Sequence, residues 1–237
     1  MVRSDHVAPI YVINLLIADL IQFCCMIVEV TRSEDEKILF VFSIIHFSAL
    51  FASVYFMVCI ALERYLVIAH PLWYRFRRTI KTSVVLCVLV WIFPLLFMFI
   101  CSHFLESPEL GFAILFLLPF PLLIFFLVGT LKALSASISV PSDEKRRIVG
   151  ILVLVLLIYT LLFLPRIIWF LKVYNEKSQF LENYDFRLTN QSFILVRVSP
   201  LADLFLYVFM RKGFIDKILA SVCCCRMDRN DISSPPV

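Results

Sequence analysis

Long apolar runs separated by short charged segments dominate the chain, and their lengths are those of membrane-crossing helices. Six stretches, 7–30, 38–68, 82–101, 111–134, 148–171 and 188–210, supply the roughly 20 apolar residues that a helix needs to cross a bilayer. The second is the longest. At about 1.5 Å of rise per residue it predicts a helix that tilts or whose inner end projects past the hydrocarbon. After residue 210 the pattern changes: Phe214, Ile215, Ile218, Leu219 and Val222 recur at helical spacing, with Lys212, Asp216 and Lys217 opposite. That predicts a short amphipathic helix lying on the membrane surface over about 212–222. The polar remainder is a tail. The expected organisation is an all-α membrane bundle over 1–222 followed by a cytoplasmic tail over 223–237.

Composition agrees with lipid as the solvent. Apolar residues make up 62% of the chain and charged residues 17%, against about half and a quarter in soluble domains, and the mean hydropathy is +0.94. The placement of charge says more than its total. Arg3, Arg64, Arg75, Arg77, Arg78, Lys81, Lys132, Lys145, Arg146 and Arg147 fall on the side of the two termini, as do Arg211, Lys212 and Lys217. Only Arg32, Lys37, Lys172, Lys177 and Arg187 fall on the other. Positive charge stays inside, so both termini are expected in the cytoplasm. Of the eight cysteines, Cys24, Cys25, Cys59 and Cys87 lie within spans, which is no secreted disulfide framework. Cys223, Cys224 and Cys225 follow the surface helix directly, the setting for reversible S-palmitoylation.

Several short motifs fall in order along these spans. Glu63-Arg64-Tyr65 closes the second span and His70-Pro71-Leu72 follows it. The first span carries Asn14-Leu15-Leu16-Ile17-Ala18-Asp19-Leu20, the third Trp91, and the fourth Pro119 and Pro121. The fifth reads Phe163-Leu164-Pro165 and the sixth Asp203-Leu204-Phe205-Leu206-Tyr207. Taken jointly over residues 7–225, this set resembles the rhodopsin-like (class A) G-protein-coupled receptors, in particular their orphan and lipid- or proton-sensing group. The resemblance implies a rhodopsin-like bundle in which the six spans correspond to the family's helices two to seven, with the first of the seven missing. It also implies a plasma-membrane protein with three partners: an extracellular ligand, a heterotrimeric G protein and membrane lipid. Neither a nucleic acid nor an enzymatic reaction is expected.

Three groups of residues carry the expected chemistry. An ionisable side chain deep in a bilayer needs a partner or a wet cavity. Asp19 and Asp203 on adjacent helices would repel, so a cation or a shared proton should sit between them. By the resemblance, Ser53 and Ser199 complete a sodium pocket with them, the one cofactor expected, and a protonated Asp19 is the alternative. Glu29, His46, Arg166 and Arg197 take positions that line the family's ligand pocket. Glu29 and Arg197 are expected on facing helices, where they can pair, which leaves Arg166 as surplus positive charge suited to an anionic, lipid-like ligand. Structural pairing or snorkelling of these side chains is the alternative. At the inner end, Glu63 would hold Arg64 at rest. On activation Arg64 and Tyr207 would meet in a cleft for the G protein, with Pro71 and Leu72 forming an apolar plug, and Phe163 and Pro165 would mark the moving helix.

Four positions depart from the family pattern. The outer disulfide has no cysteines at Ile38-Leu39-Phe40 or in the loop 102–110. Phe163 stands where the family has a tryptophan, Leu204 stands where it has a kink proline, and Glu144, the nearest acid opposite Arg64, sits beside a run of bases. A truncated, non-signalling receptor fragment is therefore the leading alternative, ahead of a polytopic transporter or channel. Asp19 and Asp203 also evoke an intramembrane aspartyl protease, but none of the four glycines adjoins them.

Overall fold

A computed structural model describes residues 8–31, 36–72, 74, 80–104, 108–136, 142–176 and 194–210. The described residues form α1 (Ala8–Val30), α2 (Glu36–Ala69), α3 (Ile80–Phe104), α4 (Pro108–Leu117), α5 (Pro119–Ala136), α6 (Ser142–Glu176) and α7 (Ser199–Met210). Among the described residues, five spans are long and apolar enough to cross a membrane: one each on α1, α2, α3 and α6, and one shared by α4 and α5. The expected surface helix at 212–222 and the cysteine cluster at Cys223, Cys224 and Cys225 lie outside the described residues.

α2 is the axis of the bundle. It packs against α1, α3, α5 and α6, and 78% of its most apolar window is buried, against 22% for α3. Its 34 residues extend about 50 Å at 1.5 Å per residue, well beyond the roughly 30 Å hydrocarbon core. The excess carries Glu63-Arg64-Tyr65 to the inner rim. α3 is the converse case. It buries one stripe, Ser83, Cys87, Val90 and Pro94, at helical spacing. Val84, Val85, Val88, Leu89, Leu95 and Leu96 are left exposed. An apolar surface of that extent belongs against lipid, where a helix can leave side chains uncovered because its backbone bonds are internal.

The fourth expected span, 111–134, is two helices. The break falls at Leu118 because Pro119 has no N–H to give the Leu115 carbonyl one turn back. Pro121 costs little, since it sits in the first turn of α5, where the N–H groups have no intrahelical acceptor. The freed end of α4 is satisfied from neighbouring helices instead. Tyr55 on α2 donates to the Leu115 carbonyl at 3.3 Å, and Tyr159 on α6 donates to the Phe116 carbonyl. The Tyr159 ring belongs to a buried aromatic column. Phe51 stacks on Phe116 at 4.3 Å, Phe116 on Phe163 at 5.4 Å, and Phe163 on Tyr159 at 4.9 Å.

The last expected span, 188–210, is described from residue 194. A turn at Val198 interrupts it just before α7. Pro200 accounts for the turn, since it cannot donate to Val196. Leu204, in place of a proline, leaves α7 unbroken from Ser199 to Met210.

Candidate functional site

A small group of buried polar side chains interrupts the apolar interior of the bundle. Asp19 on α1 and Asp203 on α7 are buried, and their carboxyls come within hydrogen-bonding reach of each other. A chain of weak contacts leads outward from them. The Gln22 amide donates to Asp19 Oδ1 at 3.5 Å and Ser199 Oγ donates to Gln22 Oε1 at 3.4 Å. Asp19 Oδ2 and both Asp203 oxygens are buried without a hydrogen-bond donor. Ser53 is fully buried as well, but its hydroxyl donates to Leu50 of its own helix at 2.9 Å. Gln22 has no place in the family-based set of pocket residues, yet the sequence held a signal for it. Three residues beyond Asp19, it shares that residue's helical face.

About two turns beyond Gln22 along α1, Arg197 Nη2 meets Glu29 Oε2 at 2.6 Å. The expected pair therefore forms and ties α1 to the chain just before α7. His46 is buried beside it, edge-on to Phe47 at 5.9 Å, and its Nδ1 has no hydrogen-bond partner. Arg166 stands apart from this pair. It is 4% exposed, and its guanidinium lies 4.1 Å from the centre of the Trp169 ring and 4.5 Å from that of Phe170. Aromatic faces carry negative charge density that offsets part of the cost of a buried cation. These rings stand three and four residues along the same helix, so the sandwich follows from helical spacing alone. Pro165 directly precedes Arg166 on α6, and Phe163, about one turn away, is fully buried in the aromatic column.

At the inner end, Glu63 is buried and accepts a hydrogen bond from the Tyr74 hydroxyl. Arg64 is half-buried beside it. Tyr74 is a partner that sequence reasoning missed, because it lies eleven residues away across a turn. Tyr65 points sideways, toward α5, and contacts His70 Nε2 at 3.4 Å. Leu72 projects outward, 73% exposed, with Pro71 exposed next to it. Tyr207 is 38% exposed. Between the helices above, Trp91 Nε1 donates to Asn14 Oδ1 at 3.0 Å. The Asn14 amide in turn reaches Ile10 O at 2.9 Å and Cys87 Sγ at 3.6 Å. Two motif residues that looked unrelated in sequence thus lock α1 to α3.

Comparison with known proteins gives the same class. The family described as "7 transmembrane receptor (rhodopsin family)" matches residues 2–111. Mouse "G-protein coupled receptor 68" is 26% identical over 88% of this chain and 66% of its own length. Mouse "Mas-related G-protein coupled receptor member A4" is 26% identical over 85% and 69%, and rat "Mas-related G-protein coupled receptor member A" is 26% identical over 85% and 71%. The chain thus spans about two thirds of the length of these relatives. By these matches the chain is similar to the rhodopsin-like receptors, and its long apolar helices are those of a multi-pass membrane protein.

Proposed function

We propose that the chain is a plasma-membrane receptor that converts binding of an extracellular anionic, lipid-like ligand into activation of a heterotrimeric G protein. The observation that carries the ligand class is the burial of Arg166, 4% exposed and flanked by Trp169 and Phe170. A cation held among aromatic rings suits a carboxylate or phosphate headgroup, while the apolar surroundings suit its hydrocarbon chain. The Glu29–Arg197 pair closes the neighbouring side. Binding would bias a two-state bundle toward the form it prefers, with Arg64 opening toward the G protein and Leu72 seating on it.

The four polar residues of the inner core fit a sodium ion. Three buried carboxylate oxygens of Asp19 and Asp203 have no donor, and hydroxyl oxygens of Ser53 and Ser199 keep lone pairs after donating. When bound, the ion would supply the positive charge that lets both carboxylates stay ionised.

The test of the ligand class is binding of a panel of acidic and neutral amphiphiles to the purified chain. Acidic members should bind, neutral analogues of equal length should not, and Arg166→Ala should abolish the difference. Equal binding of acidic members by Arg166→Ala and the parent chain would refute it.

A further inference from the structure

A groove of about 510 Å³ opens between the ends of α2 and α5, beside the Glu63-Arg64-Tyr65 and His70-Pro71-Leu72 motifs and apart from the residues assigned above to ligand and ion. Its floor is Tyr65, whose ring closely approaches Gly129. A Cβ at 129 would stand only 2.5 Å from Tyr65 Cε2. Glycine in a helix interior costs up to about 1 kcal/mol relative to alanine, and this close approach is what it permits. Phe125 and Val128 form the wall, 58% and 44% exposed. Lys132, one turn before the end of α5, and His70, just past the end of α2, form the rim.

The groove therefore has a direction. From Phe125 to Lys132 it runs about 10 Å along α5 at 1.5 Å per residue. It is aromatic and aliphatic at the deep end and cationic where the helices leave the membrane. Both helices end here, so their terminal carbonyls repel anions and the attraction must come from the side chains. An occupant needs a hydrocarbon chain for the deep end and a negative headgroup for the rim. The wall residues face the surface that lipid covers in a membrane, so the deep end is reached from the bilayer.

We propose that this groove binds one acyl chain and the headgroup of an anionic phospholipid of the inner leaflet. The assignment of the leaflet rests on the reading that the Arg64 end is cytoplasmic. Because Tyr65 directly follows Arg64 and floors the groove, an occupying chain presses on the segment that must rearrange for signalling. The lipid is thereby a regulator of that segment, separate from the agonist.

The test uses the full chain in nanodiscs of phosphatidylcholine. Trace phosphatidylserine or phosphatidylcholine, each with a photoactivatable acyl chain, is added, and cross-links are mapped by peptide mass spectrometry. Labelling of 125–133 should favour the serine lipid by about fivefold, the factor that one basic side chain supplies near an anionic surface. Lys132→Gln should bring the two lipids to parity, and Val128→Trp, a lipid-facing change that fills the groove, should remove labelling of 125–133 while labelling elsewhere persists. Glycerophosphoserine, which has the headgroup without chains, should not compete. Equal labelling by the two lipids in the parent chain, an unchanged preference in Lys132→Gln, or competition by glycerophosphoserine would each overturn the proposal. Neither agonist nor G protein enters the assay, so these outcomes are distinct from any failure of the signalling reading.

Discussion

The Tyr159 hydroxyl on α6 donates to the main-chain carbonyl of Phe116, the second-last residue of α4. That bond exists because proline breaks the helix beyond it, and it fastens the break to the helix that carries Phe163, Pro165 and Arg166. A fixed bend held by a partner's side chain is a joint, and its two tyrosines report on whether the joint is closed.

Tyr159→Phe removes a donor and leaves a buried carbonyl unsatisfied, at a cost of about 1–3 kcal/mol. Tyr55→Phe, which gives up a 3.3 Å bond in a half-buried setting, should cost less. Thermal unfolding of the purified variants in detergent should rank them in that order. The reverse order would mean that the bend is held elsewhere.

Much of this arrangement was legible from residue types and spacing, and the limits have physical causes. Apolar run length located every described helix, since crossing a bilayer imposes a length that soluble folding does not. The Glu29–Arg197 pair was foreseeable because an unpaired charge in hydrocarbon is expensive. The helix break at Leu118 was half visible. Two prolines marked the region, but the break is set by the first of them, and the second then falls harmlessly in the first turn of the new helix. Gln22 and Tyr74 were not picked out, although both hydrogen-bond to motif carboxylates. An amide or a phenol in an apolar run gives no sign of its partner until the helices are docked. Arg166 was read as part of one cluster with Glu29, His46 and Arg197. Its cationic head turns instead onto the aromatic rings of its own helix.

Sodium should stabilise the folded chain through the buried carboxylates. Unfolding midpoints compared in sodium chloride and choline chloride at equal ionic strength should be higher in sodium. The difference should vanish in Asp19→Asn and in Asp203→Asn, because ligand that binds only the native state raises its stability by mass action. A sodium effect that survives both substitutions would place the ion elsewhere.

The Glu29–Arg197 contact is short, but the arginine is 47% exposed, so water and salt screen it. A double-mutant cycle with Glu29→Gln and Arg197→Gln should give a coupling of no more than about 1 kcal/mol. The coupling should shrink further at high salt. The pair thus contributes more to aligning α1 with the last helix than to stability. A coupling several times larger and insensitive to salt would show that lipid or ligand seals the pair from water.

Gly129→Ala should push the Tyr65 ring off α5 and weaken its contact with His70. Overpacking of this kind costs about 1–3 kcal/mol, measurable as a lower unfolding midpoint. If the midpoint is unchanged, the ring swings freely and the floor of the inner groove is not fixed.

The most direct test of the central claim is nucleotide exchange on purified heterotrimeric G proteins, measured with the chain reconstituted in nanodiscs and with Arg64→Ala beside it. The account predicts that the parent chain accelerates exchange on at least one G-protein class, that an acidic amphiphile bound through Arg166 changes the rate, and that Arg64→Ala abolishes the acceleration while the fold persists. A properly folded chain that accelerates exchange on none of the G-protein classes, with or without such a ligand, would contradict it.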